Sequence, residues 1–101
     1  MRYSFHLVIR EEMMDEYIKR HKNVWPELLN LLKEAGVSNY SIFMDGIDIF
    51  GYWECDDLNR TLSIINNSEI NKRWQYFMSD VIKTPPLSRT GSSIMEVFHL
   101  N

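Results

Sequence analysis

The spacing of apolar side chains changes near residue 10, and this change constrains the fold more than any other feature of the sequence. Residues 2–9 place Tyr3 and every second residue after it on one face, which is typical of a β-strand. From Glu11 the apolar residues recur at steps of three and four, as on an amphipathic helix, up to Gly36, where a helix can end. Pro26 interrupts this pattern, so we expect a kink or a restart there.

Two further strands are predicted on either side of a tight turn. Residues 39–44 and 47–55 are strand-like and flank Asp45-Gly46, a dipeptide that favours a two-residue hairpin turn. We therefore expect these two segments to pair as a β-hairpin.

The second half of the chain predicts helices followed by a closing strand. Asp56-Asp57 can cap a helix that reaches about Asn67, and Ser68 can cap another that includes Val81 and Ile82. Residues 84–93 are predicted to form a polar loop, and residues 94–100 a last strand.

The predicted order, β-α-β-β-α-β, indicates an α+β fold of the ferredoxin-like type, with residues 1–101 as a single domain. Such a sheet carries helices on one face only. The other face would present Phe43, Phe50 and Tyr52, and an apolar sheet face has to be covered. We therefore expect a homodimer, a dimeric α/β barrel in which a second copy covers this face.

Composition and charge exclude several classes of protein. The net charge is -3 and the cations are spread along the chain, which argues against a nucleic-acid partner. No segment approaches the roughly 18 apolar residues of a membrane span. A single cysteine, Cys55, and an N-terminus without an export signal make the cytoplasm the expected compartment.

A group of aromatic and polar residues is the candidate site. Tyr17 and His21 are one helical turn apart on the apolar stripe. Tyr40 and Trp74 could complete a pocket of aromatic walls and hydroxyl groups, which suits a carbohydrate. The same spacing also fits an ordinary aromatic core that encloses a histidine. Because the three histidines are scattered, we predict no metal site, and no cofactor is implied.

Four segments resemble the L-rhamnose mutarotase family. The most specific contains the pattern R-H-x-x-V-W-P-E-L within Tyr17–Leu28; the others are Asn39–Phe43, Arg73–Met78 and Met95–Leu100. The resemblance covers nearly the whole chain. It implies a dimer of ferredoxin-like subunits that interconverts the α and β anomers of L-rhamnose, a small-molecule sugar, without a cofactor.

The resemblance also implies roles for individual residues. His21 matches the family's proton donor, and Tyr17 and Tyr40 match substrate-binding positions. Trp74 matches the first of two adjacent tryptophans that bind substrate, whereas Gln75 stands where the family has the second. We therefore expect Gln75 to alter sugar preference rather than the reaction.

The expected chemistry needs an acid and a base together, and imidazole can serve as either near neutral pH. Tyr17 or a bound water could be the second proton-transfer group. The alternative enzyme is a cofactor-free monooxygenase of the dimeric α/β barrel type. An RNA-binding sheet is disfavoured because the basic surface and aromatic signature of such sheets are absent from the sequence.

Overall fold

The computed structural model describes residues 1–84 and 94–101, and it shows an α+β fold. Four strands form one antiparallel sheet in the order β2-β3-β1-β4. The strands are β1 (Arg2–Ile9), β2 (Ser38–Asp45), β3 (Asp48–Glu54) and β4 (Ile82–Thr84). The helices are α1 (Met14–His21), α2 (Pro26–Glu34), α3 (Leu58–Asn66) and α4 (Glu69–Met78), and a short 3-10 turn at Glu11–Met13 precedes α1.

The predicted interruption at Pro26 is confirmed. Helix α1 ends at His21, and α2 begins with Pro26 as its first residue, where the missing N–H costs nothing. Gly36 has a φ of 95°, and the Val37 N–H donates to the Leu32 carbonyl 2.9 Å away. This left-handed residue ends α2, as the sequence predicted.

The hairpin and the predicted cap of α3 are also confirmed. Strands β2 and β3 are joined by a tight turn in which Gly46 has a φ of 61° and Asp45 pairs with Asp48. The Asp57 carboxylate accepts the Arg60 N–H at 3.1 Å, which satisfies one of the free donors at the start of α3. Both features depend on neighbouring residues only.

The end of α4 differs from the prediction. The helix stops at Met78, because the Val81 N–H donates to the Met78 carbonyl at 3.0 Å and closes a turn. Ile82 then enters β4 opposite Ile9. The apolar spacing continues past Met78, so the sequence extended the helix, but pairing with β1 gives the β-branched Ile82 a strand partner.

The closing strand predicted at residues 94–100 is wrong. β4 already occupies the edge beside β1, and residues 94–100 belong to no strand in the described part of the chain. The backbone N–H and C=O groups of a strand must pair with a neighbouring strand, and this segment has no such partner in the described four-stranded sheet. The predicted loop at residues 84–93 lies outside the described residues except for Thr84, which ends β4.

All four helices pack on one face of the sheet. Leu7, Ile9 and Ile49 of the sheet form the main core with α1, α2 and α4. A smaller core joins Tyr3 and Trp53 to the buried Cys55 and to α3. The opposite face carries Phe43 and Phe50, which are 65% and 44% exposed. Among the described residues, no helix is long and apolar enough to cross a bilayer.

Candidate active site

His21 lies at the C-terminal end of α1, and aromatic rings enclose it on two sides. Its ring stacks on Tyr17, with centroids 4.2 Å apart and planes inclined by 30°. The His21 ring is nearly perpendicular to the ring of Trp74 in α4, with centroids 5.7 Å apart and planes at 88°. The helical spacing brings Tyr17 to His21, whereas the packing of α4 brings Trp74.

One hydrogen bond determines which nitrogen of His21 can exchange a proton. Nδ1 lies 2.9 Å from the Tyr17 carbonyl oxygen, which can only accept, so Nδ1 carries a hydrogen. In the neutral ring Nε2 then has the free lone pair. Burial lowers the pKa of His21, and the hydrogen bond to Tyr17 opposes this shift in part. The ring is therefore neutral at pH 7 and Nε2 can accept a proton.

Side-chain contacts of Arg20 connect the end of α1 to the end of α4. Its Nε donates to Glu16 at 2.7 Å, and its Nη1 donates to the Phe77 carbonyl at 2.7 Å and to Asp80 at 2.9 Å. The guanidinium carbon also lies 4.3 Å from the centroid of the Phe77 ring. Because His21 follows Arg20 directly, these contacts hold the histidine near Trp74. Sequence reasoning assigned no role to Arg20, although it is the first residue of the R-H-x-x-V-W-P-E-L pattern and lies one helical turn after Glu16.

Tyrosine side chains from two strands and α1 converge beside His21. Tyr40 is 40% exposed because it lies on the edge strand β2, yet its hydroxyl end is enclosed, and burial together with nearby Tyr17 and Tyr3 raises its pKa. Burial raises the pKa of Tyr17 to about 12. Both phenols therefore keep their protons at neutral pH and can donate hydrogen bonds. Sequence reasoning did not propose Tyr3, although alternation along β1 places it on the core face.

Two adjoining cavities meet at this group of residues. Their volumes are about 660 and 490 Å³, within the usual range for small-molecule sites. Four of the five predicted site residues line both cavities: Tyr17, His21, Tyr40 and Trp74.

The two cavities differ in their other polar lining residues. The first cavity is also lined by Ser38, Asn39, Lys22 just after α1 and Lys33 of α2, whereas the second is lined by Asn66, Asn71 and Gln75. Gln75, the fifth predicted residue, lines only the second cavity and is exposed. Within residues 1–84 and 94–101, no three His, Cys, Asp or Glu side chains cluster closely enough to hold a metal ion.

Sequence and structure comparisons identify the family. Residues 2–100 match the profile of a family described as L-rhamnose mutarotase. An L-rhamnose mutarotase of Oceanobacillus iheyensis is 38% identical, and the match covers 99% of this chain and 98% of that protein. The L-rhamnose mutarotase of Lachnoclostridium phytofermentans is 36% identical over 100% of this chain and 99% of its own length.

A solved structure agrees with this assignment. A crystal structure of L-rhamnose mutarotase from Formosa agariphila superimposes with a TM-score of 0.81 at 30% identity, covering 100% of this chain and 99% of that one. The match over both full lengths includes the helices and strands that surround His21. The chain belongs to the L-rhamnose mutarotase family.

Proposed function

We propose that this protein interconverts the α and β anomers of L-rhamnose, with His21 as the residue that exchanges a proton with the sugar. The observation that supports this role most directly is the hydrogen bond from Nδ1 to the Tyr17 carbonyl, which leaves Nε2 available beside a cavity of suitable size. The substrate is inferred from the relatives, which are L-rhamnose mutarotases, and the chemistry of the described residues is compatible with it.

The reaction transfers protons without redox chemistry. The anomeric hydroxyl loses its proton as the C1–O1 double bond forms, the bond from C1 to the ring oxygen breaks, and the ring oxygen takes up a proton. Rotation about C1–C2 and reclosure on the other face give the other anomer. Neutral His21 accepts a proton through Nε2, and the imidazolium returns it. Tyr17 or a water supplies the complementary proton transfer, since reaction at two oxygens needs both an acid and a base.

Aromatic and polar side chains recognise different parts of the sugar. Trp74 offers an apolar ring to the C–H face of a pyranose, and Tyr40 offers a hydroxyl that remains protonated. Gln75, which lines only the second cavity, offers an amide in place of an indole. We propose that this amide shifts the preference toward sugars with an additional hydroxyl group.

We also propose that the subunits are ferredoxin-like and form a homodimer through the helix-free face of the sheet. Phe43 and Phe50 pair across β2 and β3, and both are exposed in the single chain. The His6 ring lies 5.0 Å from the Phe50 ring and extends this aromatic row onto β1. A second copy carries the same row, so two such faces can cover each other.

The test of the activity is exchange between the two anomeric protons of L-rhamnose, measured by saturation-transfer NMR. Catalytic amounts of the protein should increase the exchange rate far above that of the sugar alone. The family assignment favours this reaction over the monooxygenase alternative. Oxygen consumption with quinols in the absence of anomer exchange would reverse that preference.

A further inference from the structure

Gly51 occupies the middle of β3, where a glycine normally weakens a strand. β3 is an inner strand of the sheet, paired with β2 on one side and β1 on the other. The residue is buried, and the positive-φ glycines of the described chain are Gly36 and Gly46 only. Its backbone conformation is therefore open to any residue, and the reason for a glycine lies in its surroundings.

The ring of Phe5 occupies the space that a side chain at position 51 would need. Phe5 of β1 is the direct cross-strand partner of Gly51. A Cβ atom built on Gly51 would lie 2.1 Å from both Cε1 and Cζ of Phe5 and 2.7 Å from Cε2. Because contacts below about 3 Å do not occur, the ring can lie in this position only while residue 51 is glycine.

The Phe5 ring also forms part of the candidate site. It lines the second cavity together with His21 and Tyr40. Its ring meets Tyr40 edge to face, with centroids 6.4 Å apart and planes at 89°, and its centroid is 6.4 Å from that of Tyr3. The ring that covers Gly51 therefore supports two of the tyrosines that converge beside His21.

We propose that Phe5 and Gly51 together are positioning residues of the sugar pocket. Because Gly51 has no side chain, the Phe5 ring can pack against β3 at this position. The ring then sets the depth of the second cavity and holds Tyr40 in place. This inference rests on the proposed function, because the pocket is the one assigned to the sugar. The competing explanation is that the ring only shields a weak point of the sheet, as an aromatic residue opposite a glycine can do.

The variant Gly51→Ala separates these explanations. The clashing atoms are the far end of the Phe5 side chain, so the ring rather than the backbone has to move, and the space open to it is the cavity. A ring raised into the pocket obstructs the sugar and displaces Tyr40. We expect KM for L-rhamnose to rise about tenfold or more, with a smaller change in kcat, because displacements of about 1 Å at a site carry large costs.

A second change tests the cause of that defect. Phe5→Leu in the Gly51→Ala background removes the ring atoms that the new methyl group would meet, so KM should return to the value of Phe5→Leu alone. The two substitutions should therefore be strongly non-additive, as expected for residues in contact. Val81→Ala is the matched control, since Val81 is fully buried but lines neither cavity. It should lower the melting temperature and leave KM unchanged.

The experiment measures kcat, KM and thermal unfolding for the wild type, both single variants, the double variant and the control. If Gly51→Ala is destabilised but keeps the wild-type KM, the pair serves the sheet alone and the proposal fails. A KM in the double variant that stays well above that of Phe5→Leu alone also overturns it. If Gly51→Ala does not fold, Phe5→Leu carries the test, and its wild-type KM would overturn the proposal. Absence of anomer exchange in the wild type would instead refute the proposed function.

Discussion

Removing the imidazole of His21 should abolish most of the anomer exchange while the protein stays folded. Two variants separate proton transfer from packing. His21→Ala removes the ring, whereas His21→Phe keeps an aromatic ring beside Tyr17 and Trp74 but has no nitrogen. His99→Ala is the control, because His99 is exposed near the C-terminus and lines neither cavity.

The expected loss of rate follows from the role of the residue. A positioned proton-transfer group contributes roughly 10²–10⁴-fold, or about 3–5 kcal/mol of transition-state stabilisation. Both His21 variants should therefore retain at most about 1% of the wild-type exchange rate. The loss should be similar in the two variants, since neither can accept or return a proton.

The expected loss of stability is smaller and differs between the variants. His21→Ala removes the contacts with Tyr17 and Trp74, worth about 0.5–1.5 kcal/mol, and a hydrogen bond worth about 1 kcal/mol. For a chain of this length that corresponds to a decrease of roughly 6–20 °C in the melting temperature. His21→Phe should lose less, because its ring can keep the stacking contacts.

The assay is saturation-transfer NMR on L-rhamnose with the spontaneous exchange rate subtracted, together with thermal unfolding followed by circular dichroism. Wild-type exchange in either His21 variant would refute the assignment of proton transfer to this residue. Loss of exchange in His21→Ala alone would show that the ring acts by packing. His99→Ala should match the wild type in both measurements.

Four further predictions test other parts of the structure. Because the pKa of His21 is lowered from 6.5, kcat/KM should stay constant between pH 7 and 8. It should fall only below pH 6.5, where the ring becomes protonated, and a decrease in kcat/KM that begins above pH 6.5 would contradict this. Gln75→Trp should increase the rate on L-rhamnose relative to L-mannose, and unchanged ratios would place Gln75 outside the specificity determinants. Arg20 lowers the pKa of Asp80 from 3.8, so their pairing stabilises the fold above about pH 4 and is lost on acidification. Arg20→Met should therefore lower the melting temperature more at pH 7 than at pH 3, and an equal decrease at both would refute the contribution of this pair. Phe50→Lys should halve the sedimentation mass of a dimer, whereas a wild-type mass of one chain would disprove the interface.

Local features of the fold were predictable wherever neighbouring residues decide the conformation. The alternation along β1, the turn at Gly46, the restart at Pro26 and the cap at Asp57 agree with the structure because each depends on a few adjacent residues. The end of α4 was mispredicted because its apolar spacing suits a helix and only the partner strand makes Ile82 extended. Residues 94–100 were mispredicted because the composition of a segment does not show whether an edge of the sheet is free to pair with it.

The candidate site was likewise predictable from the sequence only in part. The pairing of Tyr17 with His21 follows from helical spacing, and the roles expected for Tyr40, Trp74 and Gln75 came from resemblance to the family. Spacing could not distinguish this group from an ordinary aromatic core, since both need the same residues. The adjoining cavities are the feature that separates the two, and they exist only in the folded chain.

The sequence by itself determined the order of most elements, the pairing of Tyr17 with His21 and the family, because these depend on periodicity, turn chemistry and matching segments. Only the tertiary structure decided the tautomer of His21, the anchoring of α1 by Arg20 and the seat of the Phe5 ring on Gly51. These three depend on distances between groups that are up to 60 positions apart in the chain, or on the direction of a single hydrogen bond. Tertiary packing sets such distances, and the spacing of residues along the sequence does not reveal them.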